Sequence, residues 1–190
     1  MTTTITAPIA QRTMVQLLRR NATVIQLAFA LLWSVRFVSA AGAPEVFAAV
    51  AVAGAFAVRM AWRATPGSRA REVFRTPEGR HFLRPVTRLT VAQIVASVVL
   101  PGIAGAFGAE QWMMPIVAAT IGLFLVGFGR SLHVRAVSRI GAIATVVPLC
   151  LPLAAHGDAL NALTATSMIV TLLASTWCCA LAARADTTAG

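Results

Sequence analysis

Apolar residues in this chain gather into six runs, at about residues 22–41, 45–62, 89–107, 112–129, 140–155 and 160–183. The runs are near-continuous and show neither strand alternation nor a one-sided helical stripe. About 20 apolar residues cross the hydrocarbon core of a bilayer as an α-helix. The pattern therefore predicts an all-α polytopic membrane protein with six transmembrane helices. Short turns after the first, third and fifth runs make three hairpins. Six such helices use roughly two thirds of the chain, so residues 1–190 read as a single integral membrane domain. The longest connection is a basic loop over residues 63–88.

Polar and breaker residues give the runs individual character. In the first, "VSAAGA" resembles a signal-peptidase site, but Arg36 inside the run argues for a retained span. Before it, Ile9, Met14, Val15, Leu17 and Leu18 interleave with polar residues, as in a helix lying on the inner leaflet. In the second, Pro44 and Glu45 suit a helix start. Its small-residue centre, "AAVAVAGAFAV", predicts close packing inside the bundle. Pro101 and Gly102 predict a helix break in the third run, and Pro115 fits the first turn of the fourth. In the loop before the third run, "SRAREVF" reads as one or two helical turns. The fifth run is short and carries Pro148 and Pro152. Two prolines four apart remove two backbone donors, and broken helices can build transporter sites at mid-membrane. In the sixth, Asp158 reads as an N-cap, and Asn161, Thr164, Ser167, Thr171 and Ser175 recur at helical spacing.

Charge changes the picture by giving it sides. The net charge is +10, and all sixteen basic residues are arginines. Fifteen of them lie before residue 21, over 59–88, over 130–139 or at 184. The opposite turns hold Glu45, Glu110 and Asp158 and no arginine. This is the positive-inside pattern, and it predicts both termini in the cytoplasm. It turns the basic face toward anionic inner-leaflet lipids and makes nucleic acid an unneeded explanation for a pI near 11.8. Arginine without lysine suggests a bacterial genome, hence a bacterial cytoplasmic membrane.

Candidate chemistry is sparse. Cys150, Cys178 and Cys179 form no metal or redox motif, and no mid-membrane carboxylate, nucleophile elbow or paired-histidine motif occurs. An enzyme, a metal and a cofactor are not expected. Arg36 stands out, because an arginine this deep must reach water, a headgroup or a carboxylate. Glu45 is its first expected partner, with Glu110 and Asp158 behind. Gln26, Gln93, Asn161, Thr164, Ser167 and Thr171 are the candidates for a polar path. Together with the broken fifth span they suggest a small-solute permease or channel-like protein. The alternative is a non-transport membrane subunit or scaffold that binds partner helices or anionic lipid. Either reading leaves room for a homo-oligomer or a membrane partner.

Overall fold

The computed structural model describes residues 7–64 and 76–188, with side chains described over 13–64 and 76–185. All regular structure in these residues is helical. The helices are α1 (Ala7–Ala41), α2 (Glu45–Arg63), α3 (Pro77–Ala106), α4 (Met113–Ser131), α5 (Arg135–Cys150) and α6 (Gly157–Thr188). Single 3₁₀ turns, Glu110–Trp112 and Leu151–Leu153, precede α4 and follow α5. Six helices are long and apolar enough to cross a membrane, at the six places the apolar runs predict.

Several helices depart from the sequence expectations. Residues 13–19 do not form a separate surface helix. They continue α1, and Met14, Val15, Leu17 and Leu18 are buried. Their apolar face is covered by neighbouring helices, so it has no need of a lipid surface. The basic loop also shrinks, because α3 already begins at Pro77, capped by Thr76 through its side-chain oxygen and the Gly79 amide at 3.1 Å. The "SRAREVF" segment lies outside the described residues. Pro101 and Gly102 do not break α3, which runs on to Ala106. A proline removes one donor, and a membrane helix tolerates that loss. Asp158 sits in the first turn of α6 and not at its cap; there it favours the helix dipole. Pro115 falls in the first turn of α4 as expected.

α5 does change character at its prolines. The helix ends at Cys150 and tightens into the 3₁₀ turn, with the Leu151 amide donating to the Pro148 carbonyl. That change ends the span beside the first turn of α6, which carries Asp158. It does not open its middle.

Small residues set the packing. α4 buries Pro115, Ala118, Gly122, Leu125 and Gly129, and α5 buries Val137, Gly141, Ala144 and Pro148. A Cβ placed on Gly122 would lie 2.5 Å from the Ala144 carbonyl carbon, and one on Gly129 would lie 2.5 Å from the Ser138 amide nitrogen. The two backbones are therefore almost in contact, as small residues permit in lipid. Ser138 pins the approach by donating to the Val126 carbonyl at 3.0 Å. α1 and α6 form the other main pair, around Ala30, Trp33, Ala165, Met168 and Leu172.

The small-residue span is not interior. α2 lies on the periphery against α1 and α6, with Val50, Gly54, Ala57 and Ala61 facing in and Val52 and Phe56 facing out. Only Ala57 and Ala61 of its alanines are buried, and Ala48, Ala49 and Ala55 are exposed, since a small side chain allows close approach only where a neighbour is present. α3 is also peripheral and packs against α4 and its leading turn.

Candidate functional site

The polar residues of α6 are mostly spent in packing. Thr164 and Ser175 are fully buried, and Thr171 nearly so. Ser175 Oγ accepts from Gln26 Nε2 of α1 at 2.8 Å. Ser167 and Thr176 turn back to the Thr164 and Leu172 carbonyls. A second chain links α3 to α4. Gln93 Nε2 donates to Ser97 Oγ at 3.3 Å, Ser97 pairs with Thr120 Oγ1 at 2.8 Å, and Thr120 donates to the Val117 carbonyl. The predicted path residues thus fall into two separate packing groups. Asn161 belongs to neither and is exposed at the acidic end.

Arg36 is exposed there too. It shares a small cleft, of about 130 Å³, with Trp33, Ser39, Met114, Asp158 and Asn161. Glu45 and Glu110 are exposed and do not line it. Among the described residues no carboxylate oxygen lies within 4.0 Å of the guanidinium. The expected ion pair with Glu45 is therefore not made. Asp158 is the acid brought to the same cleft, because α6 packs along α1 whereas the α1–α2 turn carries Glu45 to the outside. Arg36→Leu is expected to leave stability within roughly 0.5 kcal/mol, as for other exposed positions without a specific contact. Thermal unfolding of the purified variant would measure this, and a larger loss would reveal a pairing role.

A second opening faces sideways. α1 and α3 stand apart, with α4 and α6 behind them, and between them lies a cleft of about 340 Å³. Its α1 wall runs from Leu18 to Phe29, about 16 Å at 1.5 Å per residue. Ile25, Phe29, Val86, Ile94, Ile121, Phe124, Leu125, Phe128 and Leu172 make it strongly apolar, and Asn21, Gln26, Thr90 and Gln93 are its polar positions. Phe124 and Phe128 stack at a centroid distance of 5.2 Å. Gln26 is only 4% exposed, and its Oε1 has no hydrogen-bond partner. A buried amide oxygen left this way costs about 1–3 kcal/mol.

At the basic end the controlling residue is Arg19, which charge counting treats like every other arginine. It is buried. Its Nε and Nη2 donate to the Leu132 carbonyl at 3.1 and 3.0 Å, and Nη1 donates to the Ala182 carbonyl at 3.3 Å. Leu132 is the C-cap of α4, where exposed carbonyls carry partial negative charge. One guanidinium thus ties α1 to the α4–α5 turn and to the end of α6. Arg20, one residue on, points elsewhere and lies over the Trp62 ring at 4.6 Å. Arg59, Arg63 and Arg184 line a further cavity of about 400 Å³ beside Phe56 and Met60.

Among the described residues no cluster of His, Cys, Asp and Glu is suited to a metal. Cys179 is buried in the core near the basic end, Cys178 is half-buried and Cys150 exposed. Comparison with protein-family models, with curated proteins and with solved structures gives no match.

Proposed function

We propose that this chain is a non-transport membrane protein that receives a hydrophobic partner from the lipid phase in the cleft between α1 and α3. The observation that carries the reading is the cleft's position and lining. It opens on the side of the bundle and is walled by apolar residues, while Thr166, Ser167, Ser175 and Thr176 of α6 are bonded to their own helix or to α1. A permease reading draws support from the Arg36 and Asp158 cleft. The core residues Trp33, Ala118, Ala165 and Met168 pack behind that cleft.

Reconstitution separates the two. Proteoliposomes are expected to show no osmotic swelling beyond empty liposomes in sugars, amino acids or glycerol. A photoreactive apolar diazirine dissolved in the lipid should label Ile25 and Ile94. Swelling that Thr171→Leu abolishes, with no labelling in the cleft, would restore the permease.

The setting proposed is a bacterial cytoplasmic membrane with both termini in the cytoplasm, supported by the arginine distribution. In intact cells a cysteine at position 110 should react with an impermeant maleimide and one at position 71 should not. The opposite pattern would reverse the orientation.

A further inference from the structure

The cavity of about 400 Å³ at the basic end lies between α2 and α6 and shares no residue with the α1–α3 cleft. Its charged lining is three arginines, Arg59 and Arg63 from the end of α2 and Arg184 from α6. Arg59 and Arg63 are one helical turn apart, so they share a face. Among the described residues neither makes a hydrogen bond or an ion pair. Arg19 and Arg20 at the same end are used differently, on carbonyls and on the Trp62 ring. The other residues lining the cavity are Phe56, Met60 and Ala64, and none is acidic. A guanidinium cannot shed its charge in a protein, so the three repel one another and their summed field favours an anion. The apolar lining lies deeper in the membrane. Phe56 precedes Arg63 by about 10 Å along the helix at 1.5 Å per residue. Its ring is 62% exposed and stacks on Trp177 at 5.8 Å. Toward the basic end the lining therefore passes from apolar to cationic.

From these features we infer that the cavity is a binding site for an anionic phospholipid, whose phosphate is held by Arg59, Arg63 and Arg184 while an acyl chain lies over Met60 and Phe56. A phospholipid has the same order as the lining, chains toward the bilayer centre and phosphate at the surface. The planar fork of arginine matches phosphate oxygens in pairs. A zwitterionic headgroup brings its own cation, which three guanidiniums repel, so the headgroup that fits carries a net negative charge. A water-soluble phosphate ester satisfies the arginines but leaves the outward ring of Phe56 without a role.

Three probes separate charge from chains: phosphatidylglycerol, phosphatidylcholine with the same chains, and glycerophosphoglycerol, the anionic headgroup alone. Each is titrated into the full chain in neutral detergent, and the unfolding temperature is followed by calorimetry. A ligand that binds only the folded state raises it. Phosphatidylglycerol is expected to give a saturable rise of several degrees, and the other two less than a third of that. The double variant Arg59→Gln/Arg63→Gln, at two exposed positions, should fold normally. Two charges near an anionic headgroup are worth enough to raise the half-saturating lipid concentration roughly 30-fold. Arg80→Gln/Arg84→Gln, at exposed arginines of the same end outside the cavity, should shift it less than about threefold, since binding at a site is not binding to the whole basic face. If the cavity double variant fails to fold, Arg59→Gln alone and the phosphatidylcholine arm still decide. Equal shifts in the two double variants, or equal stabilisation by the two lipids, would overturn the site. Equal stabilisation by glycerophosphoglycerol and phosphatidylglycerol would overturn the lipid assignment in favour of a soluble phosphate ester. No stabilisation by any probe would overturn both.

Discussion

Replacing Arg19 with leucine is expected to cost about 3 kcal/mol or more, through the loss of charged hydrogen bonds worth roughly 1.5–3 kcal/mol each at two carbonyls. For a chain of this size that is a fall of roughly 6–12 °C in unfolding temperature. The cost is large because both acceptors, at Leu132 and Ala182, close different elements, so one substitution loosens the α4–α5 turn and the end of α6 together. Arg19→Lys should recover only part of the loss, since an ammonium lacks the planar fork that reaches two sites. Arg20→Leu is the matched comparison. It removes a cation–π contact between half-buried Arg20 and Trp62, worth roughly 0.5–2 kcal/mol. Calorimetry of the three variants in one detergent makes the comparison, and equal losses for Arg19→Leu and Arg20→Leu would remove the buried-clamp account.

Gly122→Val is expected to be nearly as damaging. The first added carbon would meet the Ala144 carbonyl and the Thr145 amide nitrogen, both at about 2.5 Å. Backbone cannot rotate aside as a side chain can, so α4 and α5 must separate along their length. Overpacking of this kind costs roughly 1–3 kcal/mol, and a backbone-on-backbone clash belongs at the upper end. Gly102→Ala offers the contrast, because nothing lies within 4 Å of its added carbon. A glycine inside a helix costs roughly 0.5–1 kcal/mol relative to alanine, so this variant should gain stability slightly. If the two substitutions shift the unfolding temperature alike, the tight contact does not hold the hairpin.

The positions of the six spans could be read from the chain because continuous apolar length is a local property and the helix is its direct result. What each helix touches is not local. Arg36 is the one arginine set away from the basic segments of the chain, yet it is exposed. Arg19 looked ordinary beside Arg20, yet adjacent helical positions face about 100° apart, and only one of the two could turn inward. The glycines of α4 and α5 are scattered through "IGLFLVGFGR" and "RIGAIA", and they become a matched set only when the two helices meet. The small residues of α2 suggested interior packing, whereas composition alone cannot say how many sides are covered. The cleft had no sequence signal, because it results from two helices failing to meet.

Helix length is distributed unevenly through the bundle. α1, α3 and α6 have 35, 30 and 32 residues, whereas α2, α4 and α5 have 19, 19 and 16. At 1.5 Å per residue α1 is about 52 Å long, some 20 Å more than the hydrocarbon thickness. At the acidic end only tight turns join α1 to α2 and α5 to α6, so the surplus of α1 emerges at the basic end, where the N-terminus of α3 and the C-terminus of α6 also lie. In a bilayer spanned by these six helices, the described residues would be nearly flush with one surface and would stand proud of the other as a stiff stub. An antibody or a protease approaching the flush face would find little to grip, and almost all recognition by water-borne macromolecules would come from the stub.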